Sequence, residues 1–110
     1  MGGYAATEVL RELMSGLNSQ EFHRRGPKPF QVIKAVPVSG EWPIKFHATV
    51  TGPGWEKPRT FGLSFEADDF DPCNTGTAPA SEVAEAFITL ALIYIEEEIL
   101  TGSMSGLEIV

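Results

Sequence analysis

The chain has 110 residues, of which 43% are hydrophobic and 21% charged, and its formal net charge is −7. This length and composition fit one globular domain over residues 1–110, large enough to bury a core without disulfide or metal support. The lone Cys73 excludes an internal disulfide framework, and no basic-then-apolar signal precedes the first element, so we expect a protein of the reducing cytoplasm.

The charges divide unevenly along the chain. Residues 1–59 hold eight Lys or Arg and five Asp or Glu, a balance of +3, whereas residues 60–110 hold ten acidic residues and no Lys or Arg, a balance of −10. Contacts with phosphate need cations, so direct nucleic-acid binding by the second half is disfavoured. A basic surface of another protein is its natural complement.

The first predicted element is an amphipathic helix over about residues 5–17, followed by a connector. Gly16 and Asn18 indicate where this helix ends. The connector, residues 18–29, carries a basic cluster (Arg24, Arg25 and Lys28) and is predicted to contain one helical turn over residues 19–25. The helix is predicted from apolar residues at the i, i+3, i+4, i+7 spacing: Ala6, Val9, Leu10, Leu13, Met14 and Leu17.

Three strands are predicted next, and they form an antiparallel meander. Residues 30–38 are rich in β-branched side chains, and Pro37 places the end of that strand at a sheet edge or a bulge. Residues 44–51 alternate apolar and polar side chains most regularly, which places His47 on the outward face. Residues 60–66 repeat the alternation, so the meander presents one apolar face to the core.

The last predicted element is a long helix over residues 79–101 that closes the core. Pro79 suits a first helical turn, and Gly102 supplies a residue on which helices commonly end. Between Ala86 and Ile95 only Thr89 is polar, so this helix must be covered on more than one side.

The two ends of the chain, residues 1–4 and 103–110, are expected to be loose termini. The tail nevertheless keeps apolar residues that are able to dock on the body or on a partner. The apolar run of the long helix is about half the roughly 20 residues that a bilayer span requires, so no membrane association is expected.

The predicted order is therefore helix, three-stranded antiparallel meander, long C-terminal helix (α-β-β-β-α), an α+β fold. This order resembles that of the double-stranded-RNA-binding domain, and the resemblance covers topology only. In that family the start of the last helix carries a lysine cluster that grips phosphates. Here residues 80–85 read Ala-Ser-Glu-Val-Ala-Glu and contain no cation, so the resemblance implies the fold and not RNA binding.

Three aspartates in the loop of residues 66–77 invite a calcium interpretation. Counted as an EF-hand loop from Asp69, the position that requires Gly is Asn74, and the position that requires a bidentate Glu is Ala80. The motif fails, and no metal or cofactor is predicted. A solvated acidic loop is the simpler interpretation, and a looser divalent-ion site is the alternative. The aspartates are Asp68, Asp69 and Asp71.

Cys73 could be read as a nucleophile that has His47 or His23 as its base. No flanking signature supports that pairing, so no catalytic residue and no enzymatic activity are predicted. A small enzyme that uses His47 and Cys73 stays open as an alternative.

The function predicted from these features is a non-enzymatic protein-binding module with an acidic surface. Its concrete form is a small inhibitor that imitates nucleic-acid charge, like those that phages and mobile elements use against host nucleases and CRISPR-type complexes. A structural homo-oligomer, such as a homodimer or a virion component, is the alternative, with surplus apolar surface as its interface. The predicted partner-binding residues are Glu66, Asp68, Asp69, Asp71, Glu82, Glu85, Glu96, Glu97, Glu98 and Trp55.

Overall fold

The computed structural model describes residues 6–22, 29–66 and 80–101, together with the backbone of residues 108 and 109. Within them the chain forms an α+β fold in which a meander of strands lies between two helices in sequence. In chain order the elements are α1 (Ala6–Leu17), β1 (Glu21–Phe22), β2 (Phe30–Ser39), β3 (Ile44–Thr51), β4 (Arg59–Phe65), α2 (Ala80–Thr101) and β5 (Glu108–Ile109).

The strands form one antiparallel sheet in the order β1-β2-β3-β4-β5. Pairing between β3 and β4 is regular from Ile44 opposite Phe65 to Val50 opposite Arg59. Pairing between β2 and β3 is interrupted twice, and the second interruption follows Pro37. A proline has no N–H to give to the ladder, so the irregularity predicted at that position is confirmed.

The predicted helices and the three main strands are confirmed, with bounds that differ by one residue or less. The alternation predicted for β3 is confirmed as well, because its four apolar residues are completely buried while the residues between them are exposed or half-buried. The sheet has two strands more than predicted. Both are short, β1 and β5, and each adds two residues to an edge of the meander.

The helical turn predicted over residues 19–25 is wrong, because strand pairing occupies part of that stretch. Ser19 takes a left-handed backbone conformation (φ 71°), which ends the helical path directly after α1. Its N–H then donates to the carbonyl of Val32 at 2.8 Å, and the N–H of Val32 donates to the carbonyl of Gln20 at 2.8 Å. Residues 21 and 22 continue this pairing as β1.

The tail contributes strand β5, so its described residues dock on the body of the protein. Glu108 lies opposite Phe61 and Ile109 opposite Thr60, which places β5 at the outer edge of β4. At these two residues the tail therefore docks on the sheet and is not a loose end.

One core joins both helices to one face of the sheet. The Phe65 ring stacks on the Phe87 ring of α2 at 4.8 Å between centroids, and it also contacts Phe46 (5.9 Å) and Tyr94 (6.0 Å). Trp42 meets Phe87 edge-on at 6.2 Å. The buried residues of this core are Val9, Leu10, Leu13, Met14, Leu17, Val32, Ile44, Phe46, Ala48, Val50, Phe61, Leu63, Phe65, Val83, Ala84, Phe87, Ala91 and Ile95.

Helix α2 is covered from two sides, as its apolar middle requires. The sheet covers one side through Phe65 and Phe87. Helix α1 covers another at Gly16, where an added Cβ would collide with Cδ1 of Ile88. Gly16 therefore does not end α1, which continues to Leu17; its missing side chain lets the two helices approach closely.

Candidate functional site

Helix α2 presents a continuous face away from the core, and this face carries most of its charge. At about 100° per residue, Glu82, Glu85, Glu96 and Glu97 fall within about 120° of one another around the helix axis. The face contains no Lys or Arg, because the whole of α2 has none. We call this set the α2 outer face: Glu82, Glu85, Thr89, Ile93, Glu96, Glu97 and Leu100.

Two large apolar side chains lie among these glutamates. Ile93 and Leu100 each keep 46% of their surface exposed, and they are seven residues apart, which is two helical turns. The Thr89 hydroxyl donates a hydrogen bond to the carbonyl of Glu85 at 3.2 Å. The α2 outer face is therefore a mixed surface, with apolar side chains in its C-terminal half and carboxylates on either side of them.

Glu98 departs from the predicted set. It lies on the side of α2 opposite the outer face and is half-buried, and its Oε1 is buried without a hydrogen-bond partner among the described residues. A carboxylate in that position is turned toward the protein and is not displayed to a partner. The structure thus separates Glu98 from Glu96 and Glu97, which precede it directly in the sequence.

The remaining predicted binding residues do not all join this face. Glu66 is exposed immediately after β4. Asp68, Asp69 and Asp71 lie outside the described residues.

Trp55 packs within the protein, near the end of the sheet where β3 leads into β4. Its ring lies 5.2 Å from the ring of Phe30, and the Arg59 guanidinium sits 4.8 Å above the Trp55 ring. The backbone N–H of Trp55 donates to the carbonyl of Gly52 at 3.1 Å. These contacts make Trp55 a cap on the edge of the core, with part of its surface left accessible.

The face of the sheet away from the helices differs from the α2 outer face in charge. Lys34, Lys45 and His47 lie on it, and the carboxylates of α2 lie on the other side of the molecule. A cleft of about 420 Å³ lies at β3 and β4, and its lining includes two residues of the core, Phe46 and Leu63. Its lining includes Val38, Lys45, His47, Gly62, Ser64 and Tyr94. The sequence predicted only that His47 faces outward. The available signal for the cleft was Gly62, because a glycine inside a strand often marks a place where another group approaches the backbone closely.

Most of the groups considered for metal binding or catalysis lie outside the described residues. Cys73 and His23 lie outside the described part of the chain, and His47 is half-buried on the sheet. Among the described residues there is no group of three or more His, Cys, Asp or Glu positioned to hold a metal ion. Within the same residues, no helix is long and apolar enough to cross a membrane.

Comparisons of the chain with protein-family models, with curated proteins and with solved structures yield no match.

Proposed function

We propose that this chain is a non-enzymatic binding module that docks the α2 outer face on a basic surface of another protein. One observation carries the proposal. Four glutamates and two exposed apolar side chains share one face of a helix that has no cation of its own. The negative charge of these carboxylates attracts a basic partner, and Ile93 and Leu100 supply apolar area that is removed from water on contact.

A protein partner suits this face better than a nucleic acid. Phosphates would be repelled by the glutamates, and nucleic-acid affinity rests on cations that neutralise phosphates. The apolar residues argue in the same direction, because interfaces place exposed apolar side chains at their centre and charged ones at their rim. The partner expected from this chemistry is a Lys- or Arg-rich surface that includes an apolar groove.

The more specific form of the proposal is an inhibitor from a phage or a mobile element that occupies a nucleic-acid-binding groove of a host protein. Duplex DNA carries one charge per about 1.7 Å of its axis. The four glutamates of the α2 outer face span about 22 Å, one charge per about 6 Å. Charge mimicry at the density of DNA would therefore draw on Asp68, Asp69 and Asp71 in addition to α2.

The proposal is tested by capturing partners with two matched variants. One variant replaces Glu82, Glu85, Glu96 and Glu97 by Gln, and the control replaces Glu8, Glu12, Glu41 and Glu56 by Gln. Each changes the net charge from −7 to −3, since four carboxylates are lost. Capture from a lysate is compared at about 0.1 M and about 1 M salt, between which the Debye length falls from about 10 Å to about 3 Å.

We expect nucleic-acid-binding proteins to be retained by the natural chain and by the control, and lost by the α2 variant and at high salt. Equal loss in the two variants would show that net charge, and not the α2 outer face, governs capture. Capture that is indifferent to salt would contradict the electrostatic basis of the proposal.

A second candidate function, self-assembly, is favoured by strand β2. Beyond Val32 no described strand pairs with β2 on the side away from β3. This stretch exposes Ile33, Val36 and Val38 by 46%, 39% and 54%. An unpaired edge that carries exposed apolar residues is a template for pairing with another strand, and two copies of β2 would form an antiparallel, symmetric pair.

Sedimentation at micromolar concentrations tests self-assembly. A dimer that is lost on Val36→Lys and kept on the α2 glutamine substitutions would support pairing through β2. A monomer throughout the concentration range would exclude it, and would leave the proposal for the α2 outer face intact.

A further inference from the structure

A second cleft lies at the end of the sheet where β3 leads into the loop before β4. Its volume is about 490 Å³, within the range of roughly 300–1,000 Å³ that is typical of ligand pockets. Side chains of β1, β2 and β3 line it, together with Pro29 and residues 52–54 of the loop. Its lining contains no residue of α2, so this cleft is separate from the α2 outer face.

Three polar side chains form a row along the floor of this cleft, one from each of three neighbouring strands. Glu21 of β1 lies opposite Gln31 of β2, and Gln31 lies opposite Thr51 of β3. Gln31 precedes the buried Val32 and Thr51 follows the buried Val50, so both point to the face of the sheet away from the core. Because paired residues share a face, Glu21 lies on that face as well.

This row has hydrogen-bonding capacity that the protein itself leaves unused. In the described part of the chain, neither the Gln31 amide nor the Thr51 hydroxyl has a hydrogen-bond partner. One step along β3 the situation differs, since the Thr49 and Thr60 hydroxyls bond each other at 3.1 Å. Glu21 is exposed, and a carboxylate has about four acceptor sites, so it accepts from a ligand in addition to a contact within the protein.

The rim of the cleft is a turn that contacts with the protein hold in place. The backbone hydrogen bond from Trp55 to Gly52 closes it. Pro53 at its second position and the positive φ of Gly54 (82°) at its third are the features of a type II turn. A Cβ at residue 52 would collide with the Phe30 ring, so the turn lies directly against that ring. A rim that is ordered before binding lowers the entropic cost of binding.

The charge and spacing of the row define the ligand. Glu21 is the one charged side chain among the described residues of the lining, so the site matches a cation that donates hydrogen bonds. Neighbouring strands lie about 4.8 Å apart, so the row is about 10 Å long. A planar guanidinium with five N–H donors reaches a carboxylate and a neighbouring amide oxygen together, whereas an ammonium is a compact point charge. Pro29 and Pro53 supply apolar surface for an alkyl chain.

We propose that this cleft binds a guanidinium group, as in an arginine side chain, with the guanidinium paired to Glu21 and Gln31 and the alkyl chain against Pro29 and Pro53. The interaction does not depend on the α2 outer face, so it stands or falls separately from the proposed function.

The experiment titrates ¹⁵N-labelled protein with Nα-acetyl-arginine N-methylamide and with its citrulline analogue, in which a neutral urea group of the same shape replaces the guanidinium. Saturable shifts are expected at the backbone amides of residues 31, 51, 52 and 54. The arginine compound should bind about 3- to 10-fold more tightly than the citrulline compound, as for one partly exposed charge pair. The lysine analogue, which has the same charge on an ammonium, should bind at least about threefold more weakly than the arginine compound.

Two matched variants locate the interaction. Glu21→Gln keeps the size of the side chain and removes its charge, so it should bind the arginine compound about as weakly as the natural chain binds the citrulline compound. Glu56→Gln removes the same charge from the loop before β4, outside the lining of the cleft. At about 0.15 M salt, where the Debye length is about 8 Å, it should change the affinity by less than about twofold.

The variant with Gln at residues 82, 85, 96 and 97 separates this proposal from the proposed function. It should bind the arginine compound within about twofold of the natural chain, because α2 does not line the cleft. Loss of partner capture together with unchanged arginine binding would therefore support both proposals independently.

Four outcomes would overturn the guanidinium site. They are equal affinity of the natural chain for the arginine and citrulline compounds, equal affinity for the arginine and lysine compounds, equal weakening by Glu21→Gln and Glu56→Gln, and an absence of saturable shifts at residues 31, 51, 52 and 54.

Discussion

At the scale of single residues, Glu98 is the side chain least suited to its position. Its Oε1 is buried without a hydrogen bond among the described residues, and it lies in the last turns of α2, where the negative end of the helix dipole disfavours a carboxylate. A buried acceptor without a donor keeps the desolvation penalty that a hydrogen bond would offset. We therefore expect Glu98 to lower the stability of the fold.

Replacing Glu98 by Met is predicted to stabilise the protein. Methionine keeps the helix propensity and the length of the side chain while removing the unpartnered oxygen, so the free energy of unfolding should rise by about 1–2 kcal/mol. Urea denaturation measures the change. The matched control is Glu97→Met on the exposed side of the helix, expected within about 0.5 kcal/mol of the natural chain. Equal gains from the two substitutions would attribute the effect to the helix dipole alone.

At the scale of elements, the closest approach of α1 to α2 depends on Gly16. Glycine inside a helix costs about 1 kcal/mol relative to alanine. The reason for glycine here is the neighbouring helix, because a Cβ at this position would collide with the end of the Ile88 side chain. Ile88 is flexible at that end, so its Cδ1 can move at a cost of about 0.5–1.5 kcal/mol for an unfavourable rotamer.

Gly16→Ala and Ile88→Val are predicted to be coupled. Alone, Gly16→Ala should change the free energy of unfolding by less than about 1 kcal/mol, since the helix gain is offset by the displaced Ile88. In the Ile88→Val background the colliding methyl group is gone, so the same substitution should stabilise by about 1 kcal/mol. A double-mutant cycle by urea denaturation measures the coupling. Additive effects would show that the helices do not meet as the structure has them.

At the scale of the whole molecule, charge is separated between two surfaces. The α2 outer face holds glutamates without a cation on the same helix, whereas Lys34, Lys45 and His47 lie on the opposite face of the sheet. With a net charge of −7, carboxylates repel one another more in the compact state than in the extended one. The acidic composition therefore opposes folding, and a partner with a basic surface would relieve this repulsion.

Sodium chloride is predicted to stabilise the free protein at pH 7. Raising the salt from about 0.05 M to about 0.5 M screens the repulsion between surface carboxylates, so the midpoint of thermal unfolding should rise. The variant with Gln at residues 82, 85, 96 and 97 should show a smaller rise than the variant with Gln at residues 8, 12, 41 and 56. Both carry the same net charge, so the difference isolates the α2 outer face. A midpoint that falls with salt would contradict the repulsion.

The sequence by itself determined the two helices, the three main strands and their order. Both helices and the three main strands follow from local periodicity: the apolar spacing of α1, the alternation around His47 in β3, and the apolar run of α2. The outward position of His47 and the irregularity at Pro37 were also predictable, because each depends on one residue and its immediate neighbours.

Only the tertiary structure decided what those elements place together. Pairing of β1 with β2 replaced the predicted turn over residues 19–25, because hydrogen bonds to Val32 outweighed a weak local preference. Packing against Ile88 explains why residue 16 is a glycine. The orientation of α2 turns Glu98 toward the protein, away from Glu96 and Glu97. Pairing across the sheet puts Gly62 opposite His47. Each of these relations joins residues distant in sequence or depends on which side of an element is buried, and local patterns carry no information about either.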